Sequence, residues 1–286
     1  MAQTDQPVVS SQSSGSLHKA FWIDFDQARA HVNTLMGLVD EDPDDRPTCV
    51  VLVGQSGMGK TSILKEVGRR IRLAYPEPAN LGEARYVPML HAVVPTHPTA
   101  LRINLALLWK QGWPLTRRTH QIADLKVAEL LGKQGTKLVA IDNVHAILTA
   151  SGRARRDALD SFRFLMSEGN VHMVVAGLDV AADIFSDDVE LAYRSIILRM
   201  PPWLPGEPSQ QLIRALAHRM GLIDPDRFAE PEIAEFIWRN SHGVTGNFKR
   251  LLHRSYRVAK DTYGRQRVEF SDVYEAAKFF PSYIDR

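Results

Sequence analysis

Eight consecutive residues, Gly54-Gln55-Ser56-Gly57-Met58-Gly59-Lys60-Thr61, satisfy the pattern G-x-x-x-x-G-K-[ST] at every fixed position. Glycines at these places let the backbone wrap closely around an anion, so that amide N–H groups and the start of a helix face it. The chemistry is capture of a polyphosphate. Lys60 reaches toward the β- and γ-phosphates, and the Thr61 hydroxyl is placed to ligate Mg²⁺. A second residue of the same chemistry is Asp142, which closes the apolar run Leu138, Val139, Ala140 and Ile141. A carboxylate ending such a strand holds Mg²⁺ through water in the Walker B arrangement. The two motifs together predict a site for a purine nucleoside triphosphate with Mg²⁺. The next residue departs from the usual pattern. Most ATPases of this build carry a Glu there to polarise the attacking water, whereas this chain has Asn143. An amide accepts no proton near neutral pH, so Asn143 is not a general base, although it can orient a water by hydrogen bonding. His145 is near enough in sequence to contribute, or to serve as a structural or partner-facing residue.

These residues need elements to hold them. Cys49, Val50, Val51, Leu52 and Val53 predict a buried strand entering the loop, and Ile63, Leu64, Val67 and Ile71 predict a helix leaving it, up to the stops at Pro76 and Pro78. Further strands are predicted over 86–94, 137–142, 170–177 and 195–200. Helices are predicted near 26–39, over 101–109 and over 119–131. Short, fully apolar strands alternating with helices indicate a parallel sheet covered on both faces. Such sheets bind ligands at the C-terminal strand ends, where both the glycine-rich loop and Asp142 fall. The opening segment, with Phe21, Trp22, Ile23 and Phe25 ahead of a helical pattern, either packs on the core or lines the base-binding side of the site. After Pro201-Pro202-Trp203-Leu204-Pro205 the pattern turns helical, with apolar faces at Leu212, Ile213 and Leu216, at Ile233, Phe236 and Ile237, at Phe248, Leu251 and Leu252, and a last helix capped by Ser271. The predicted organisation is a disordered tail over 1–16, an α/β nucleotide-binding core over 17–203 and a small α-helical lid over 204–286.

Composition narrows the class. The 286 residues are 44% hydrophobic, enough for a sizeable core, and no run of 18 apolar residues predicts a membrane span. The polar start lacks the apolar centre of a signal peptide, and the single cysteine, Cys49, cannot form an internal disulfide; both predict a cytoplasmic protein. The net charge of +2 is too small to announce a nucleic-acid partner. Its distribution says more: the segment 249–267 holds seven Lys or Arg residues and one Asp.

The pattern as a whole resembles an AAA+ ATPase, a P-loop NTPase core with a five-stranded parallel sheet followed by a helical lid. More narrowly, the chain resembles the TniB/TnsC family of transposition regulators. The likeness runs over roughly 20–280. It rests on the phosphate loop, Arg46-Pro47, Pro95 and Pro98 with the helix after them, Ile141-Asp142-Asn143-Val144-His145, Pro201-Pro202-Trp203, and Gly246-Asn247-Phe248-Lys249-Arg250-Leu251-Leu252. The resemblance implies ATP and Mg²⁺ as ligands. It implies that Arg194 is an arginine finger reaching a neighbouring subunit's γ-phosphate, unless it is only a surface Arg before a strand. The family's Phe after this Arg is Ser195 here, which weakens the match. A polar sensor is expected after the fourth strand, where this chain has Leu178 and then Asp179, so Asp179 is the candidate. Lys249 or Arg250 resembles the second sensor, or forms part of a solvated basic face.

Double-stranded DNA is the implied partner, together with a transposase, a target-selection protein and further copies of the chain in a ring or filament; no membrane is implied. Candidate DNA contacts are Arg117 and Arg118, expected in a loop, and Arg153, Arg155 and Arg156. Neither cluster is interleaved with aromatic residues, so phosphate contacts with weak sequence preference are expected. The resulting expectation is an ATP-dependent regulator that assembles on target DNA and recruits or activates a transposase; no acidic triad for strand transfer is present. A nucleotide-gated scaffold with little hydrolysis, or another AAA+ role such as replication initiator or helicase loader, stands as the alternative.

Overall fold

The computed structural model describes residues 22–43, 46–79 and 84–279. The predicted tail over 1–16 lies outside them. Five strands form one sheet, β1 (Cys49–Gly54), β2 (Met89–Val93), β3 (Leu138–Asp142), β4 (His172–Gly177) and β5 (Ser195–Met200), in the order β2-β3-β4-β1-β5 with every neighbouring pair parallel. The order places β1 and β3 on either side of β4. The register brings their ends level: Val53 pairs with Gly177 and Asp142 with Ala176.

Parallel strands need long crossovers, and helices supply them on both faces. Cys49, Val51, Val53, Val139, Ile141, Met173 and Val175 turn to one face, where they meet Leu107 and Leu108 of α3 (Ala100–Gln111), Val127 and Leu131 of α5 (Ala123–Lys133), Phe162 and Leu165 of α6 (Gly152–Glu168) and Phe185 of α7 (Val180–Asp187). The intervening residues turn to α1 (Asp26–Asp40) and α2 (Lys60–Ala74). Each β1 residue is buried, as expected of a central strand covered on both faces. Two further short helices, α4 (Arg117–Gln121) and α8 (Val189–Arg194), pack against α5 and α7 respectively.

β2 and the helix over 119–131 differ from their predicted extents, and one predicted loop is helical. β2 begins at Met89 rather than 86, because Pro88 has no N–H to donate and the chain before it bonds elsewhere, Val87 N–H to Gln134 O at 3.0 Å. The helix expected over 119–131 is two helices, parted at Ile122, whose φ of −130° is not helical. Arg117 and Arg118 therefore stand on a helix and not in a loop; Thr116 caps it by accepting from Thr119 N–H.

The chain divides into two compact units. Of the described residues, one unit comprises Asp24–Pro202 together with Val244–Gly246; the other holds 22–23, Trp203–Gly243 and 247–279. A cut at 203/204 alone does not capture this. The turn 244–246 belongs with the sheet because Gly246 N–H bonds the Gly57 carbonyl at 2.9 Å. The second unit is helical: α9 (Glu207–Arg219), α10 (Pro231–Ser241), α11 (Thr245–Arg257) and α12 (Phe270–Lys278) bury Leu212, Ile213, Ile237, Phe248, Leu252 and Val273. Asp272 is fully buried there and is held by Arg265 at 2.7 Å and by the Glu269 N–H at 2.8 Å. Among the described residues, no helix is long and apolar enough to cross a membrane.

Candidate nucleotide site

The loop between β1 and α2 has the backbone its glycines permit. Gly57 and Gly59 take φ values of +84° and +102°, which L side chains rarely adopt, and Gly59 is the N-cap of α2. Lys60, the first residue of α2, is only 9% exposed. Its ammonium folds back onto the loop and donates to the carbonyls of Gly54 at 2.6 Å and Gln55 at 2.8 Å. Burial lowers its pKa, and the nearby charges of Asp142 and Asp179 oppose that shift. The loop is further closed by Met58 N–H to Gln55 O at 3.3 Å.

Asp142, at the end of β3, meets the loop directly. The Thr61 hydroxyl donates to Asp142 Oδ2 at 2.6 Å, across 81 residues of sequence. Asp142 Oδ1 accepts the Asn143 N–H at 2.8 Å. A hydroxyl and a carboxylate are the hard oxygen donors that suit Mg²⁺. Among the described residues no group of three acidic, His or Cys side chains could cage a metal alone. An ion held by Thr61 and Asp142 would complete its shell with phosphate oxygens and water, as Mg²⁺ commonly does.

These groups line a cleft of about 460 Å³ with Ser56, Gly57, Gly59, Ser62, Asn143, His145, Gly177 and Leu178. Asn143 has a left-handed backbone, φ +64° and ψ +32°, at the start of the 3-10 turn Val144–Thr149. Asn tolerates this region better than Glu does, so the local turn and the missing carboxylate go together. His145 lies on that turn, half-buried, and its Nδ1 accepts the Leu178 N–H at 3.3 Å. Burial and the Lys60 ammonium lower its pKa, opposed by Asp142. This clasp joins residues 33 apart, and no local spacing announces it.

The remaining candidates are distributed more widely. Asp179 is exposed at the start of α7, 4.0 Å from Arg199, and is not among the residues lining the cleft. Arg194 ends α8 and pairs within its own chain, to Glu190 at 3.2 Å and to the Ser167 hydroxyl at 3.5 Å. Lys249, half-buried, and Arg250, exposed, stand on α11 of the helical unit. Of the basic clusters, Arg117, Arg118, Arg153 and Arg156 are exposed; Arg155 is partly buried, with its Nε enclosed. The opening helix α1 packs on α2 and β4 through Val32, Leu35, Leu38 and Val39, and none of its residues lines the cleft.

Residues 15–205 match the family described as bacterial TniB protein. No curated protein matches the chain. Among solved structures, the Aeropyrum pernix ORC2 protein in its ADPNP–ADP complexes superposes with a TM-score of 0.64 at 15% identity, over 91% of this chain and 67% of that one. The Aeropyrum pernix ORC1 protein in complex with DNA gives 0.64 at 19% identity, over 88% and 64%. Domain III of the Thermotoga maritima replication initiation protein DnaA gives 0.59 at 15% identity, over 91% and 95%. The chain thus spans about two thirds of the two archaeal structures and nearly all of the bacterial domain. At these identities the likeness shows the fold, which is that of AAA+ ATPases.

Proposed function

The chain belongs to the bacterial TniB family, and from that premise we propose that it is an ATP-dependent AAA+ regulator of DNA transposition, which assembles on target DNA when ATP is bound and then recruits or activates a transposase. The observation that carries this reading is the convergence of Lys60, Thr61 and Asp142 on one cleft whose general-base position is Asn143. The cleft has the parts to bind and read a triphosphate and lacks the part that makes turnover fast.

Each residue has a task in this scheme. Lys60 exchanges the carbonyls of Gly54 and Gln55 for phosphate oxygens, a change from neutral to charged acceptors. Residues 54–59 supply backbone N–H groups. Thr61 and Asp142 hold Mg²⁺, which neutralises charge on the β- and γ-phosphates when bound. Asn143 orients a water without taking its proton. Arg194 leaves its partners to reach a γ-phosphate on a neighbouring copy. Its tie to Glu190, whose side chain is 53% exposed, is of the weak surface kind, worth roughly 0–1 kcal/mol. Lys249 or Arg250 supplies a second cation, and Asp179, whose charge acts on Lys60 from outside the cleft lining, is the sensor candidate after β4. Arg117, Arg118, Arg153 and Arg156, with Arg155 in a lesser part, contact duplex phosphates; ORC1, a protein of the same fold, was solved in complex with DNA. Such contacts make assembly weaken steeply with salt.

Electron microscopy of the full chain with duplex DNA and a non-hydrolysable ATP analogue tests the switch. Lys60→Ala abolishes assemblies, and Arg194→Ala abolishes them while leaving nucleotide affinity within about threefold, under 1 kcal/mol. Unchanged assemblies in Lys60→Ala refute the switch, and wild-type behaviour of Arg194→Ala refutes the finger. Asn143 also favours a second reading, a nucleotide-gated DNA scaffold with negligible hydrolysis. Phosphate release measured with and without DNA and transposase separates the two.

A further inference from the structure

In AAA+ folds a polar side chain after the fourth strand reads the terminal phosphate, yet here β4 ends at Gly177, Leu178 follows, and Asp179, the first polar side chain after it, does not line the cleft. We propose that His145 takes this part: its Nε2–H donates to the γ-phosphate and makes the site prefer a triphosphate over a diphosphate. The inference rests on the cleft being a nucleotide site and adds the residue that tells the two nucleotides apart.

The Leu178 N–H donates to His145 Nδ1 at 3.3 Å. A ring nitrogen that accepts carries no proton, so the single proton of the neutral ring sits on Nε2. Nε2 takes no hydrogen bond among the described residues, and the ring lines the cleft. A donor is thereby turned toward the cleft with nothing of the protein to satisfy it. Its neighbours locate it along the cleft. His145 lines the same cleft as Lys60, Thr61 and Asp142, the groups that mark the β- and γ-phosphate end. With Nδ1 occupied and Nε2 protonated, the ring has no lone pair free to serve as base, so its role is donation and not proton abstraction.

The fold holds the ring in this place by close backbone approach. A Cβ on Gly177 would come within 3.0 Å of Val144 Cγ1 and 3.3 Å of the His145 nitrogen. The missing side chain at Gly177 lets the 3-10 turn lie close against the end of β4. The left-handed Asn143 starts that turn one residue after Asp142. The features that remove the usual base and the usual sensor side chain also bring the imidazole to the phosphate end.

The test is the affinity of the full-length protein for Mg²⁺–adenylyl-imidodiphosphate and for Mg²⁺–ADP, measured by calorimetric titration. His145→Asn keeps an acceptor for the Leu178 N–H and loses the donor at the Nε2 position; His145→Gln places an amide donor near that position. A hydrogen bond to a charged group is worth about 1.5–3 kcal/mol, so His145→Asn weakens the triphosphate analogue about 10-fold or more and leaves ADP within about twofold. His145→Gln retains most of the preference. An unchanged preference in His145→Asn overturns the inference and leaves the nucleotide site standing. Wild-type protein that binds neither nucleotide overturns both. Independently of any variant, ¹⁵N shifts of the His145 ring report an Nε2–H tautomer that responds to the analogue and not to ADP; an Nδ1–H tautomer overturns the assignment.

Discussion

The two ends of the sheet carry the same hydrogen bond in two different settings. At the N-terminal end, His172 of β4 accepts the Thr48 N–H through Nδ1 at 3.0 Å, with the residue 1% exposed. At the C-terminal end, His145 accepts the Leu178 N–H through the same atom, with its ring open to the cleft. Burial lowers the pKa of both imidazoles. The difference lies in what stands beyond the ring. Inside the closed core His172 Nε2 is enclosed without a hydrogen-bond partner among the described residues, so the ring serves the framework through Nδ1 alone. The same group at an open strand end keeps a second nitrogen for a ligand. The chemistry of a residue in this protein is therefore decided by the strand end on which it sits.

The contrast can be broken most forcefully from the open end. Lys60→Ala lowers affinity for ATP by about 100-fold or more, since several charge-assisted bonds to phosphate are lost. Its midpoint of urea unfolding stays close to wild type, because Lys60 bonds only loop carbonyls. A large loss of stability in that variant would place Lys60 in the framework instead. At the closed end the roles reverse. His172→Ala costs about 2–4 kcal/mol of unfolding free energy, through a lost core side chain and an orphaned Thr48 N–H. Nucleotide affinity in that variant changes by less than about twofold, provided the fold persists.

Asn143→Glu sharpens the comparison within the open end. A longer acidic side chain in a left-handed backbone costs about 1 kcal/mol, and a carboxylate beside Asp142 raises phosphate release above wild type; no increase would show that the missing base is not what limits turnover. The smallest effect is on pH. For His172, whose folded pKa lies below the ordinary 6.5, stability is fully present above pH 6.5 and declines as pH falls from there through the folded pKa. Thermal unfolding followed from pH 7.5 to 5 shows this decline, and His172→Gln makes it shallower. His145→Asn alters it less, because that ring is more open to solvent.

What could be read from the chain alone follows how local each signal is. The phosphate loop and Asp142 are legible because each is a contiguous pattern on its own strand. The placement of β4 between their strands follows from pairing over long sequence distances, which no window contains. The break at Ile122 escapes periodicity, since apolar spacing continues through it on both sides. α6 was hidden because its first turn is Gly152, Arg153, Ala154, Arg155 and Arg156, more polar than a buried helix suggests. His145 was visible only as a neighbour of Asp142; its bond to Leu178 needs β3 and β4 side by side. The arginines are legible as charge, while the partial burial of Arg155 depends on tertiary packing.

The bond from Gly246 N–H to the Gly57 carbonyl has a consequence for time as well as place. The peptide it holds is held again at its other end, by Met58 N–H on Gln55 O, so that unit of the loop cannot rotate without releasing both. The Gly246 amide exchanges its proton with solvent only when this latch opens. Its exchange rate is thus a clock built into the loop, and it reports how often the cradle loosens before a phosphate arrives.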